Sequence, residues 1–130
     1  MQENQNKSFI LTNRPILIIA NSSWYLNHYR SLLIKEISVK NKLFTMSPID
    51  KYSKELSEYS IYIPWNIHRS SDLNLISFFF SLAKMLLLVR ALKPKLIHSH
   101  TLKTNLLSAI VSSLYGLPCV LSFAGMGRLS

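Results

Sequence analysis

Cysteine occurs once in this chain, glycine three times and acidic residues six times, and each scarcity closes off a class of protein. A lone cysteine builds neither an internal disulfide nor a cysteine metal cluster. Cys119 also lies inside the apolar run Leu117 to Phe123, which reads as an ordinary buried thiol in a reduced compartment. No G-x-G-x-x-G fingerprint and no Walker A run occurs, so the backbone cradles that hold nicotinamide dinucleotides and ATP are disfavoured. No G-x-S-x-G elbow occurs either, and few carboxylates are available as acid or base, so self-contained hydrolytic chemistry is not expected. The first nine residues, with Lys7 as their only basic side chain, lack the basic start and apolar middle of a signal peptide. A cytoplasmic location is expected.

What is abundant is positive charge. Fifteen Lys and Arg against six Asp and Glu give a net charge of +9, which favours an anionic partner: nucleic acid, acidic lipid or a phosphate-bearing substrate. The basic residues are scattered and form no arginine-rich block, which argues against nucleic acid. Asp72 is the last carboxylate, so every charged side chain after it is positive. A hydrophobic content of 48% over 130 residues suffices for one compact core without disulfides.

Residues 1–13 read as a polar tail and 14–130 as one domain. Pro15 to Ala20 is an almost wholly apolar run, as expected of a parallel strand covered on both faces. Ser22 or Ser23 then caps a helix whose Leu26, Tyr29, Leu33 and Ile37 recur on one face. Lys42 to Met46 predicts a second strand, Lys51 to Tyr59 a polar helix and Ile61 to Ile63 a third strand. Leu73 to Leu92 is the longest periodic element, with Leu75, Phe79, Leu82 and Leu86 on the face opposite a polar stripe, and Pro94 stops it. Leu96 to His98, a helix from Thr101 or Thr104 through Leu114, and Cys119 to Phe123 complete the alternation. Five short apolar strands alternating with four helices imply an α/β fold: a Rossmann-like, doubly wound parallel sheet.

In such sheets ligands bind beyond the carboxyl ends of the strands, which directs attention to four loops. The first holds Asn21, Ser22, Trp24 and Tyr25, with Arg30 beyond. Free amides at its helix start suit a phosphate or sugar hydroxyl, and the aromatic pair either stacks on a ligand or closes the core edge. The second carries Trp65, His68 and Arg69, a mix suited to an anionic or sugar ligand. In the third, His98 and His100 stand two apart at a strand end, followed by Thr101, so both rings face one side if the strand persists. A metal reading of that pair lacks a third ligand nearby, which leaves hydrogen bonding to a substrate or a structural role. The fourth ends in Phe-Ala-Gly-Met-Gly, where Gly125 and Gly127 permit close backbone approach or simply a turn. No metal and no cofactor is expected.

The long helix has more apolar surface than one sheet face uses: its apolar arc spans roughly 240° against the ~100° stripe of an ordinary packed helix. Phe78, Phe80, Met85 and Leu87 form shoulders that either meet neighbouring helices or dip into an anionic membrane surface beside Lys84, Arg90, Lys93 and Lys95. Lys84 interrupts the apolar stretch from Leu75 to Val89, which falls short of the ~20 residues a bilayer demands.

Three stretches carry a resemblance: ILIIANSSWYLNHYR from Ile16 to Arg30, KLIHSHTLKTNL from Lys95 to Leu106, and LPCVLSFAGMG from Leu117 to Gly127. Together they resemble the N-terminal domain of glycosyltransferase family 4, in particular the bacterial enzymes of capsule, O-antigen and exopolysaccharide assembly. The resemblance implies a GT-B architecture of two Rossmann-like domains, the first binding a glycan or lipid-linked acceptor and the second a nucleotide-sugar donor, usually without a metal. On this reading the chain, ending at Ser130, lacks the donor domain and is inactive alone, either as a truncated chain or as one half of a split enzyme. Some members place a catalytic-site histidine at the end of the fifth strand; here that position is Ala124, so no catalytic residue is carried over. The expected substrate-binding residues are Asn21, Ser22, Trp24, Arg30, His98, His100, Thr101, Gly125 and Gly127, with the protein peripheral at the inner face of the plasma membrane. The alternative is a non-catalytic Rossmann-like interaction module that uses the long helix as its interface.

Overall fold

A computed structural model describes residues 14–65 and 75–122. The expected tail at 1–13, His68 and Arg69 of the second loop, and Ala124, Gly125 and Gly127 of the fourth lie outside the described residues. Five parallel strands, β1 (Ile16–Ile19), β2 (Leu43–Ser47), β3 (Ile61–Pro64), β4 (Leu96–His100) and β5 (Cys119–Ser122), form one sheet in the order β3-β2-β1-β4-β5. Among the described residues five helices accompany them: α1 (Ser23–Tyr29), α2 (Ser31–Lys40), α3 (Ser53–Ser57), α4 (Leu75–Leu92) and α5 (Leu102–Tyr115). The fold is α/β and Rossmann-like.

The apolar runs are continuous because helices cover both faces of the sheet. Leu17 and Ile19 join Phe44, Met46 and Ile97 on one face, beneath Met85 and Val89 of α4 and Leu107 and Val111 of α5. Ile16, Ile18 and Ala20 point the other way, toward Leu26 of α1, Ile34 of α2 and Leu56 of α3. Burying side chains of this size stabilises by roughly 1.5–3 kcal/mol each, so β1, buried at all four positions, anchors both layers.

One helix was expected where two occur. Arg30, at φ −128 and ψ 11, ends α1 and begins α2, and the change of direction puts Tyr29 outside at 60% exposure while Ile34, rather than Leu33, enters the core. Ser22 is the cap of α1, its hydroxyl accepting from the Tyr25 amide at 3.2 Å. Ser23 is instead a buried hub: its Oγ lies 2.7 Å from Ser47 Oγ and donates to the Pro48 carbonyl at 2.7 Å, which ties α1 to the end of β2.

The long helix also differs from expectation. Met85 and Val89 are buried, Phe78, Leu82 and Leu86 are half-buried against the core, and Leu75, Phe79, Phe80 and Leu87 are more than 60% exposed. Phe79 therefore belongs to the outer surface, and Phe78 and Met85 do not. The assignment turned on which side of a nearly all-apolar helix meets the sheet, and the polar stripe is too narrow to decide it. By length and composition α4 is apolar enough to cross a membrane. Its end is fixed by Lys93, left-handed at φ 50, and by Arg14, whose guanidinium donates to the carbonyls of Lys93 and Pro94 at 2.8 and 3.1 Å. Gly116, also left-handed at φ 66, closes α5, where its freedom from a Cβ matters.

Candidate functional site

Strand order fixes where a ligand belongs. From β1 the chain steps outward to β2 and β3, then returns through α4 to β4 on the opposite side of β1, so the crevice of the sheet opens between the carboxyl ends of β1 and β4. Asn21, half-buried, and Ser22 follow β1 there, and Thr101 follows β4. Thr101 has φ 79 and ψ 154, a conformation open in practice to glycine alone. The strain is held by its neighbours: its hydroxyl lies 2.8 Å from that of Thr104, and Thr104 Oγ1 donates to the His100 carbonyl.

The strand persists through His100, and alternation puts His98 and His100 on the α1 face of the sheet with ring centroids 4.2 Å apart. His98 Nε2 lies 3.0 Å from Ser122 Oγ at the end of β5. His100 is fully buried, and neither of its ring nitrogens has a partner; the Tyr25 hydroxyl is likewise buried and unpaired. The Tyr25 ring lies 5.6 Å from that of His100, and the Arg30 guanidinium stands 5.7 Å from the Tyr25 ring centre. Burial, with Arg30 adding to it, lowers the His98 pKa. Burial first, then His98 and Arg30, takes His100 from 6.5 to about 3. Both imidazoles are therefore neutral at pH 7.

The structure thus brings Arg30, His98 and His100 together and adds Tyr25 to them. Trp24, 39% exposed, stands one step out: its ring stacks on His28 at 4.5 Å and meets Tyr29 at 5.6 Å, and Tyr29 in turn meets Tyr25 at 5.4 Å. A run of aromatic and imidazole rings leads from the surface to His100. Ser22 is used as a helix cap, and its side chain is 4% exposed. Trp65 of the second loop proves to be core, 1% exposed among the residues of α4 and α5, because β3 registers its backbone onto Ser47 and turns the indole inward. Cys119 is half-buried against the core and burial pushes its thiol pKa up, as suits an inert packing residue.

Sequence reasoning missed a second polar group. Asn105 of α5 donates to the Ser122 carbonyl at 2.9 Å, while its Oδ1 and the hydroxyls of Ser99 and Ser108 are buried without partners. A signal was present: Thr104, Asn105, Ser108 and Ser112 recur on the same inward face of α5 as Leu107 and Val111. Among the described residues no three of His, Cys, Asp and Glu are grouped to hold a metal ion. A groove of about 460 Å³ between α1, α2 and α3 lies elsewhere and is lined by Asn27, Lys35, Glu55 and Glu58, with Asn27 donating to Glu55 at 2.6 Å. It contains none of the expected binding residues.

No family model matches the chain, and no curated protein matches it. Solved structures do. The chain is similar to the glycotransferase of kitacinnamycin, with a TM-score of 0.60 at 13% identity over 85% of this chain. It spans only 30% of that protein's length. It is also similar to the C-terminal domain of a hydrogenase from Pyrococcus furiosus, with TM-scores of 0.55 and 0.57 in two structures. There the identity is 14% and 18%, and the match covers 83% of this chain and 89% and 90% of that domain. What is shared is the fold. At such identities the likeness shows a Rossmann-like fold and carries no activity with it.

Proposed function

We propose that the chain is the acceptor-binding half of a glycosyltransferase of polysaccharide or lipid-linked glycan biosynthesis, of the family 4 type, and that it transfers sugar only when a donor domain completes it. The observation that carries this reading is the crevice between β1 and β4, where neutral imidazoles, a tyrosine hydroxyl and an arginine converge beside a run of rings. Neutral His98 and His100 both donate and accept hydrogen bonds, as sugar hydroxyls require, and aromatic faces such as Trp24 suit the apolar side of a pyranose. Binding of the labelled chain to an array of bacterial surface glycans tests it. Retention of a subset of glycans, lost in Arg30→Gln and His98→Gln, is expected; a folded chain that holds no glycan removes the reading.

The outer surface of α4 supports a location at the inner face of the plasma membrane. Leu75, Phe79, Phe80 and Leu87 lie exposed beside Lys84, Arg90 and Lys93, an apolar stripe with basic flanks and no acid within α4 itself. Lys95 is engaged otherwise, donating to Asn41 Oδ1 at 2.6 Å. Co-sedimentation with vesicles containing anionic lipid, lost in a Phe79→Ser, Phe80→Ser double variant, is the expected result. Absence of vesicle binding by the folded chain favours the alternative, an interaction module whose α4 face meets a protein partner.

A further inference from the structure

The run of rings that reaches His100 does not stop at Trp24. From Trp24 it continues to His28 at 4.5 Å and then, at 5.0 Å, to Tyr52 in the turn before α3. On α1 the rings form two pairs four residues apart, Trp24 with His28 and Tyr25 with Tyr29, so helix spacing lines them up along one side. Trp24, His28 and Tyr29 are exposed, and with Tyr52 they stand outside both apolar cores. Beside the far end of the run lies the groove between α1, α2 and α3: Asn27, next to His28, lines it and donates to Glu55, three residues beyond Tyr52. Ile34 and Leu56 form its buried lining, and the Lys35 ammonium stands 5.0 Å from the ring centre of Tyr59. Its volume of about 460 Å³ falls within the roughly 300–1,000 Å³ of small-ligand sites.

Charge sets this face apart. The chain carries +9, yet around the groove and the turn before α3 the acids Asp50, Glu55 and Glu58 stand with Lys35, Lys51 and Lys54, and the signs balance. A balanced face gives an anionic polymer or an acidic membrane no net attraction. Its carboxylates accept hydrogen bonds, its ammonium groups donate them and Asn27 does both. Four of the six tyrosines, Tyr25, Tyr29, Tyr52 and Tyr59, add ring faces with polar tips to that mixture, which suits a neutral ligand rich in hydroxyls.

From this continuity we infer that the ring-lined side of α1 and the groove between α1, α2 and α3 hold further sugar residues of the glycan whose end lies in the crevice, so that the ligand is an uncharged oligosaccharide bound over several residues. The inference rests on the acceptor-site reading of the crevice and adds a distal subsite to it. Once the crevice holds one end of the chain, each further sugar binds at the effective concentration set by its linkage, so a distal contact raises affinity without being strong by itself.

The test is an NMR titration of the whole chain with length ladders of uncharged O-antigen and capsular oligosaccharides, each running upward from a single sugar. The ring signals of His98, in the crevice, and His28, on the distal run, report the two subsites separately, with His98→Gln and His28→Gln supplying the assignments. Expected are His98 shifts with every member of a bound ladder, His28 shifts with the longer members alone, and an affinity that rises by at least about tenfold along the ladder. Tyr52→Ala and Glu55→Gln should each remove at least about threefold of that rise. Glu55 is exposed, so its variant keeps the comparison readable should Tyr52→Ala fail to fold. An equal rise in the wild type and both variants overturns the inference, because the added sugars then bind elsewhere. His98 shifts with flat affinity and an unmoved His28 overturn it too, leaving the acceptor site standing and the α1 face open to a protein partner. Silence of both rings to every ladder removes both readings.

Discussion

Acid should unfold this protein through one buried ring. In the unfolded chain His100 takes a proton near 6.5; in the folded chain it does so only near 3, because burial, His98 and Arg30 all oppose the charge. Between those values the unfolded state holds a proton that the folded state lacks, so stability is fully present above pH 6.5 and falls as the pH drops toward 3. The slope is about 1.4 kcal/mol per pH unit for one such group. By pH 4.5 the loss from His100 alone reaches roughly 2–3 kcal/mol, a large part of the 5–15 kcal/mol typical of a domain. His98, lowered for related reasons, acts in the same direction. Urea unfolding of the wild type and of His100→Leu at pH 7.5, 5.5 and 4.5 measures it. The wild-type midpoint should fall by about 1 M or more relative to the variant across that range. At pH 7.5 the variant should be no less stable, since leucine leaves no unpaired nitrogen behind. Parallel pH dependences in the two proteins would show that His100 is not the group that titrates, because carboxylate titration is common to both.

Other outcomes follow from single positions. Thr101→Gly should raise stability by about 1 kcal/mol despite losing the contact with Thr104, because the backbone there suits glycine; a lower urea midpoint would show that the strain has been overstated. Met85→Ala should cost about 2–5 kcal/mol and Phe79→Ala less than about 0.5, a contrast that thermal unfolding reads directly and that reverses if α4 presents its other side to the sheet. Gly116→Ala should cost about 1 kcal/mol through its positive φ alone, since an added Cβ meets nothing within 4 Å.

The strands were legible because parallel strands buried on both faces spell themselves out: the expected runs at 15–20, 42–46, 61–63, 96–98 and 119–123 fall on the five observed strands within about two residues. The break at Arg30 was not, since Tyr29-Arg30-Ser31 contains neither glycine nor proline and the turn is imposed by tertiary packing. The facing of His98 and His100 followed from a period of two. Their neighbours did not: Tyr25 and Arg30 reach them from a segment paired to β4 only through the sheet, and no local spacing encodes that meeting. Trp65 looked like a ligand residue only because it ends a strand, and a sheet that adds one more backbone bond turns it into core.

The central place of β1 also has a temporal meaning. Ile16 pairs with Leu43 on one side and with Leu96 on the other, so the strand completes one ladder early in synthesis and must await the second. At roughly 5–20 residues per second the ribosome needs about 4–16 s to travel from Ile16 to Leu96. Within that interval β1, β2 and β3 can assemble with α1, α2 and α3 on one side, while on the other Leu17, Ile19, Phe44 and Met46 have no helix to meet until α4 is made, and meet none of α5 until β4 is complete. The order of synthesis therefore leaves one apolar side of the sheet to be covered last, by the second layer of helices.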